Sequence, residues 1–477
     1  MRLRGIVAGL IVGLVAASLG SVATAALKLP ALIGDNMVLQ QGQAVPLWGW
    51  AKKGAEVRVS IAGQSLSTKA DDQGRWKVTL AKLETGGPHE LTIKAGNESR
   101  TLKNVLVGEV WVCSGQSNME MGVGVSKDAK QEIAAGNFPK IRLFTVERHN
   151  EPAPLDDCKG NCRWAECSPA TLTSGFWGGF SAAAYYFGRE LHKQLNVPIG
   201  LIHTSWGGTP AEVWTSRKAL EAEPTLKDYH GSGMYNGMIA PLIPYGIRGA
   251  VWYQGEANID GAYHYRTLLP TMIRNWRTDW GQGDFPFYIV QIAPFHYNAW
   301  LKPSDRADPR KLQRCAELWD AQLLTHKTLP NTGLVVTTDI TELGEIHPHN
   351  KQEVGRRLAL WALAKTYGRD LVCSGPLYKS MSVEGRKVRL DFDYAQGLKS
   401  ADGKPLSFFT IAAADQKFVP AEARIDGQTI VVGAKEVDQP VAVRFGWRED
   451  ATPNLVNGAN LPASPFRTDR FKGVTQP

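Results

Sequence analysis

Four short stretches carry side chains suited to one reaction. The first is Gly115-Gln116-Ser117-Asn118-Met119, where the apolar run Leu106 to Cys113 breaks into small polar residues. A buried strand that ends in Gly-x-Ser aims a hydroxyl at the carboxyl edge of a sheet, where open α/β folds keep their sites. Ser117 is therefore a candidate nucleophile. The second stretch, Ser205-Trp206-Gly207-Gly208-Thr209-Pro210, opens a helical pattern with two glycines whose N–H groups can approach a developing oxyanion closely. The third is Trp252-Tyr253-Gln254-Gly255-Glu256-Ala257-Asn258, an apolar strand ending in amides and a carboxylate. That set is costly beside a core unless something polar binds there. Gln254 and Asn258 are candidate oxyanion donors, and Glu256 is a candidate to orient neighbours or contact substrate. The fourth joins Val336-Thr337-Thr338-Asp339-Ile340 to Gly344-Glu345-Ile346-His347-Pro348-His349-Asn350. A histidine on a loop between a strand and a capped helix is held without being sealed, as a general base requires. Asp339 or Glu345 would fix its working tautomer.

These stretches need strands to end on and helices to support them. From about residue 105, apolar strand-like runs recur at Val105–Cys113, Ile141–Val146, Ile199–Ser205, Ile247–Tyr253, Phe285–Ile292 and Gly333–Ile340. Between most of them lie helical patterns, clearest where Phe180, Ala184, Phe187, Leu191 and Leu195 share one face. Other helices are expected over Pro210–Leu220, Tyr263–Trp276 and Pro309–Thr325. A last one starts at Asn350, with Glu353 completing a capping box. Strands alternating with helices predict a parallel sheet covered on both faces, with functional residues just beyond the strand ends. Residues 26–104 instead show short alternating runs split by turn clusters, which suits an N-terminal β-sandwich. Residues 370–477 return to short β-like runs and predict a small C-terminal β-rich region. The fold class is α/β, with a central unit over residues 105–369.

At 477 residues the chain exceeds what one core usually supports. Residues 1–25 begin with Arg2 and Arg4, continue through an apolar centre and end in Ala23-Thr24-Ala25, the layout of a signal peptide. Its removal leaves +6 of the formal +8 charge, scattered without a basic run, which argues against a nucleic-acid partner. No later segment is apolar enough to span a bilayer, so the mature chain is expected to be periplasmic or secreted and free of the membrane. Six cysteines fit an oxidising compartment, and a Cys158–Cys162 disulfide is favoured over a zinc site. His347 and His349 lack a third ligand at a recognisable spacing, so no metal or other cofactor is expected.

Together, Gly115-Gln116-Ser117-Asn118-Met119, Trp206-Gly207-Gly208-Thr209, Trp252-Tyr253-Gln254-Gly255-Glu256 and Ile346-His347-Pro348 resemble the sialate O-acetylesterase family of carbohydrate esterases, within the SGNH hydrolase superfamily. The resemblance runs from about Leu27 to the C-terminus. It implies an SGNH-like sheet behind an N-terminal β-sandwich, and metal-free deacetylation of O-acetylated sugars. By match of motif, Ser117 would be the nucleophile and His347 the base. The oxyanion donors would be the Ser117 amide, a glycine amide at Gly207 or Gly208, and an amide side chain between Gln254 and Asn258. The wider superfamily places its acid three residues before the histidine, and here that position is Gly344. Asp339 is preferred over Glu345, because a strand end positions a group better than a glycine-flanked loop.

An acetyl group is small, so affinity must come from the sugar, and Trp206 and Tyr253 are candidate contacts. The expected partner is an acetylated carbohydrate, with sialate and plant polysaccharide both open. Oligomeric state has no signature in the sequence. The alternative is an exported, non-catalytic carbohydrate-binding protein, against which Ser117, His347 and a nearby acid all count. A lipase is disfavoured by the absence of Gly-x-Ser-x-Gly around Ser117 and of a long apolar lid.

Overall fold

One strand of 18 residues, Glu98–Gly115, organises the molecule. From Val105 to Gly115 it is buried without interruption, as a strand covered on both faces must be. The structure, a computed structural model, describes residues 26–477. The expected signal peptide at residues 1–25 lies outside the described residues.

The central sheet runs Thr332–Val335, Phe287–Val290, Gly249–Tyr253, Glu98–Gly115, Ile199–Ser205, Phe138–Thr145 and Trp164–Cys167, parallel except for the last. After the long strand, the chain lays its next parallel strands on one side and then crosses to the other. The switch in direction therefore falls at the carboxyl end of Glu98–Gly115, where doubly wound sheets leave a crevice. Alternation sorts the side chains to the two faces. Val110 and Val112 pack with Trp276 and Trp319, from the helices Ala262–Trp280 and Arg314–Thr328. Trp111 and Cys113 pack with Phe187 and Leu358, from the helices Ala182–Leu195 and Lys351–Trp361.

The first half of the same strand pairs antiparallel with Gly86–Ala95, which pairs with Glu56–Ile61 and through it with Gln64–Lys69. Val45–Trp50 and Arg75–Leu80 form a second ladder, and Leu47, Trp76, Val57 and Ile93 share one core. The expected boundary at residues 104–105 thus falls inside a continuous strand. Apolar residues run on through Val105, Leu106 and Val107, and nothing there ends the ladder. Beyond the central unit lie two four-stranded antiparallel sheets, one containing Lys387–Asp393 and the other Ala442–Phe445. The C-terminal tail is tied to the helix Arg314–Thr328, because Glu317 accepts from the Val474 and Thr475 amides at 2.6 and 3.0 Å.

Two expected elements differ. The helix over Pro210–Leu220 is a 3-10 turn at Ala211–Trp214 followed by the short helix Arg217–Ala222, because Thr215 and Ser216 interrupt it and Ser216 caps the second piece. The final strand stops at Val335 and leaves Asp339 in a turn. Among the described residues no helix is long and apolar enough to cross a membrane, and all six cysteines are buried thiols. Cys158 and Cys162, the favoured disulfide pair, lie side by side, with the Cys158 thiol hydrogen-bonded to Cys162 and pushed up in pKa.

Candidate active site

Register brings the site together. Gly115 lies opposite Ser205 on one side and Tyr253 on the other, Tyr253 lies opposite Val290, and Val290 opposite Val335. Five strand ends thus share one row, and four of the loops leaving it carry the motifs singled out above. Gly115 makes the first exit feasible. Its φ is +143°, and a Cβ there would lie 2.1 Å from the Tyr253 carbonyl oxygen, so any side chain would push the two strands apart. The chain then turns at Gln116 into the short helix Ser117–Glu120. Ser117 is first in that turn, so its amide has no intrahelical partner.

His347 Nε2 stands 2.9 Å from Ser117 Oγ. The two residues are 230 apart in sequence and meet because the loop after Val335 folds back over the row of strand ends. Asn350 then starts the next helix, its side chain accepting from the Glu353 amide at 3.2 Å, while the Glu353 carboxylate pairs with Arg356 and Arg357 instead of closing the expected capping box. Glu345 Oε1 lies 3.4 Å from His347 Nδ1 and accepts from the His347 amide at 2.9 Å. Trp177 packs edge-on against the imidazole, with ring centres 4.8 Å apart. Burial is the main reason that the His347 pKa falls below its usual value; Lys351 pushes the same way and Glu345 opposes. A neutral imidazole ready to accept a proton results.

Asp339, preferred from sequence as the acid, is engaged elsewhere. Its oxygens accept from Arg357 Nη1 and Nη2 at 2.7 and 2.6 Å, a forked ion pair with a buried guanidinium. The preference assumed a strand running to Asp339. Because the strand ends at Val335, the positional argument passes to the tight turn where the Glu345 amide donates to the Glu342 carbonyl at 2.7 Å. His349 turns to Glu342 Oε1, at 3.1 Å.

The expected oxyanion groups divide. The Gly207 backbone lies against Ser117, and a Cβ there would come within 3.3 Å of the Ser117 Cβ. Its amide, however, donates to Glu120 Oε2 at 3.0 Å. Gly208, at φ +74°, faces open space. Gln254 Nε2 is taken up by Asn258 Oδ1 at 2.7 Å and Thr209 O at 3.3 Å, and Asn258 Nδ2 by Glu212 Oε2 at 2.9 Å. These buried amides brace the strand exits against each other, with both Gln254 Nε2 protons and one Asn258 Nδ2 proton held by protein acceptors. Tyr253 is fully buried and offers no sugar contact. Glu256 is buried beneath the turn, its Oε1 accepting from Asn118 Nδ2 at 2.6 Å, and burial raises its pKa. Trp206 is half-buried at the rim, with the Arg148 guanidinium 5.8 Å from its ring.

Several residues here carried no sequence signal. Glu120 is buried one turn beyond Ser117 and pairs with Arg148. Arg148 also stacks 4.3 Å from the exposed Phe176 ring. Glu120, Arg148, Phe176, Phe180, His203 and Ser205 help line a cleft of about 570 Å³ beside the turn that carries Ser117. His203 Nε2 and Ser205 Oγ lie 2.6 Å apart in it, a second histidine–serine contact. It lacks an orienting acid, because His203 Nδ1 has no partner, and burial holds that imidazole down to about 4. Among the described residues, the Ser117–His347 pair is the one that combines serine, histidine and carboxylate.

Comparison with known proteins places the chain. Residues 107–364 match the family described as carbohydrate esterase, sialic acid-specific acetylesterase, which is more than half of its length. The chain belongs to this family. The sialate O-acetylesterase of Homo sapiens is 30% identical over 487 residues, covering 92% of each protein. That of Rattus norvegicus is 30% identical over 509 residues, covering 92% of this chain and 93% of the rat protein. A solved carbohydrate acetylesterase from Xanthomonas citri is 39% identical with a TM-score of 0.86, covering 94% of this chain and all of that one. This carbohydrate esterase therefore matches its relatives in both flanking β regions as well as in the central sheet.

Proposed function

We propose that the enzyme hydrolyses O-acetyl esters of sugars through an acetyl-serine intermediate, with Ser117 as nucleophile, His347 as base and Glu345 as the orienting acid. The observation that carries this reading is the 2.9 Å contact between His347 Nε2 and Ser117 Oγ, with a carboxylate oxygen at the opposite ring nitrogen. A carboxylate accepts but does not donate, so it favours the tautomer with the proton on Nδ1 and leaves Nε2 free to accept from Ser117. Ser117 Oγ attacks the acetyl carbonyl while its proton passes to His347. The imidazolium then protonates the departing sugar oxygen, and a water deprotonated by the same nitrogen releases acetate. The Ser117 amide, unpaired at the head of its turn, donates to the oxyanion. For the Gly207 amide to join it, Glu120 must turn fully to Arg148.

The cleft beside the turn suits the sugar, with Phe176 as an aromatic surface within it and Trp206 on another side of the Arg148 guanidinium. As an SGNH-type esterase with an export signal at residues 1–25, the enzyme would act in the periplasm or outside the cell. Acetate release from acetylated xylan, xyloglucan and O-acetyl sialic acid, compared between the wild type and Ser117→Ala, tests the reading and names the sugar. Ser117→Ala with native circular dichroism should fall to background on every substrate, and retained turnover would refute it.

A further inference from the structure

Lys351 opens the helix Lys351–Trp361 and has no exposed surface. A sealed ammonium is costly unless its donors are matched, and a cation at the head of a helix opposes the helix dipole. Here the donors are matched by the nucleophile turn and the histidine loop. Lys351 Nζ donates to Asn118 Oδ1 at 2.6 Å and to the Pro348 carbonyl at 2.8 Å, and stands 5.3 Å from the Tyr253 ring centre. Asn118, the residue after Ser117, donates in turn to the Ile346 carbonyl at 3.0 Å and to Glu256 Oε1 at 2.6 Å. The two carbonyls held this way belong to the residues on either side of His347.

The geometry points to Lys351 as a positioning residue: with Asn118 it clamps both flanks of His347 to the nucleophile turn and sets a positive charge behind the imidazole. This rests on the roles given to Ser117 and His347 above. The clamp maintains the reach from Nε2 to Oγ, and the charge disfavours the imidazolium, so His347 remains a base at lower pH. Around His347 stand Ser117, Trp177, Glu345, His349 and Lys351. Lys351 is acted on by Glu256, Glu345 and Glu342, which favour its charged form against burial, and its pKa falls to about 7. His347 titrates below the usual imidazole value, so Lys351 is largely charged across the acid limb of activity.

The test is kcat and KM against pH for 4-nitrophenyl acetate, with circular dichroism, in Lys351→Met, Lys351→Gln and the double variant Lys351→Met/Glu256→Gln. Lys351→Met should lower kcat about tenfold with KM nearly unchanged, because misplaced groups act on the reacting geometry. Its acid limb should move to higher pH. Lys351→Gln, which keeps a donor without the charge, should recover part of kcat while its acid limb stays displaced. The double variant removes both buried charges and leaves neither unpaired, so it reads the same shift where the single variant fails to fold. A folded variant with wild-type kcat and an unmoved acid limb overturns the inference. Ser117→Ala in the same assay separates the two proposals. If it is inactive while the Lys351 variants are unchanged, only the Lys351 role fails; if it is active, the site itself is misassigned.

Discussion

Two carboxylates compete for one histidine, and their other partners decide between them. Asp339 is spent on Arg357, whereas Glu345 keeps an oxygen against His347 Nδ1. Glu345→Gln should therefore lower kcat roughly tenfold or more, less than the about 10⁴-fold seen when a fully buried triad acid is neutralised. Asp339→Asn should leave acetate release near wild type and instead cost about 1–3 kcal/mol of stability, because it removes one of the two carboxylates, Asp339 and Glu353, that pair with the buried Arg357 guanidinium. Paired kinetics and urea unfolding check both. The depressed His347 pKa gives a pH prediction. The base works only when neutral, so kcat/KM should rise with pH along a limb whose midpoint lies below the usual imidazole value of about 6.5. A midpoint above that value would mean another group controls the limb.

At the scale of elements, the strand exits were legible because buried parallel strands read as unbroken apolar runs. Ile199–Ser205 has the same limits in sequence and structure, whereas the organising strand starts at Glu98 instead of Val105 and the last one stops at Val335 instead of Ile340. Polar residues beyond those ends marked Ser117 and His347. Which polar group faces the substrate was not legible, because Gln254, Asn258 and Glu256 look like catalytic amides and acids in sequence yet Gln254 Nε2, Asn258 Oδ1 and Glu256 Oε1 are bonded to adjacent exits. Only the three-dimensional register tells a brace from a donor. Lys351 was hidden for a related reason: its side-chain partner Asn118 lies 233 residues away, and Pro348, three residues back, offers only a backbone carbonyl. The strand exit itself is testable. Gly115→Ala puts a methyl 2.1 Å from the Tyr253 carbonyl oxygen at a φ that L residues rarely adopt, and should cost about 3 kcal/mol or more. A melting temperature close to wild type would contradict the close approach.

Across the whole molecule, the long strand Glu98–Gly115 joins the N-terminal β layers to the catalytic sheet. Composition suggested a domain break near residue 104, because alternating β runs give way there to βα units. The structure instead threads one strand through both, so the N-terminal layers brace the strand that presents Ser117. Deleting residues 26–97 would strip the partners of Leu106 and Val107 and should yield insoluble protein, whereas a soluble, active remainder would show the layers to be dispensable. The molecule's chemistry still comes down to one bond. Rapid acid quench of the enzyme turning over an acetyl ester, followed by peptide mass spectrometry, tests it most directly. The account predicts acetyl on Ser117 and none in Ser117→Ala. Turnover with Ser117 unmodified and acetyl on another side chain would contradict it.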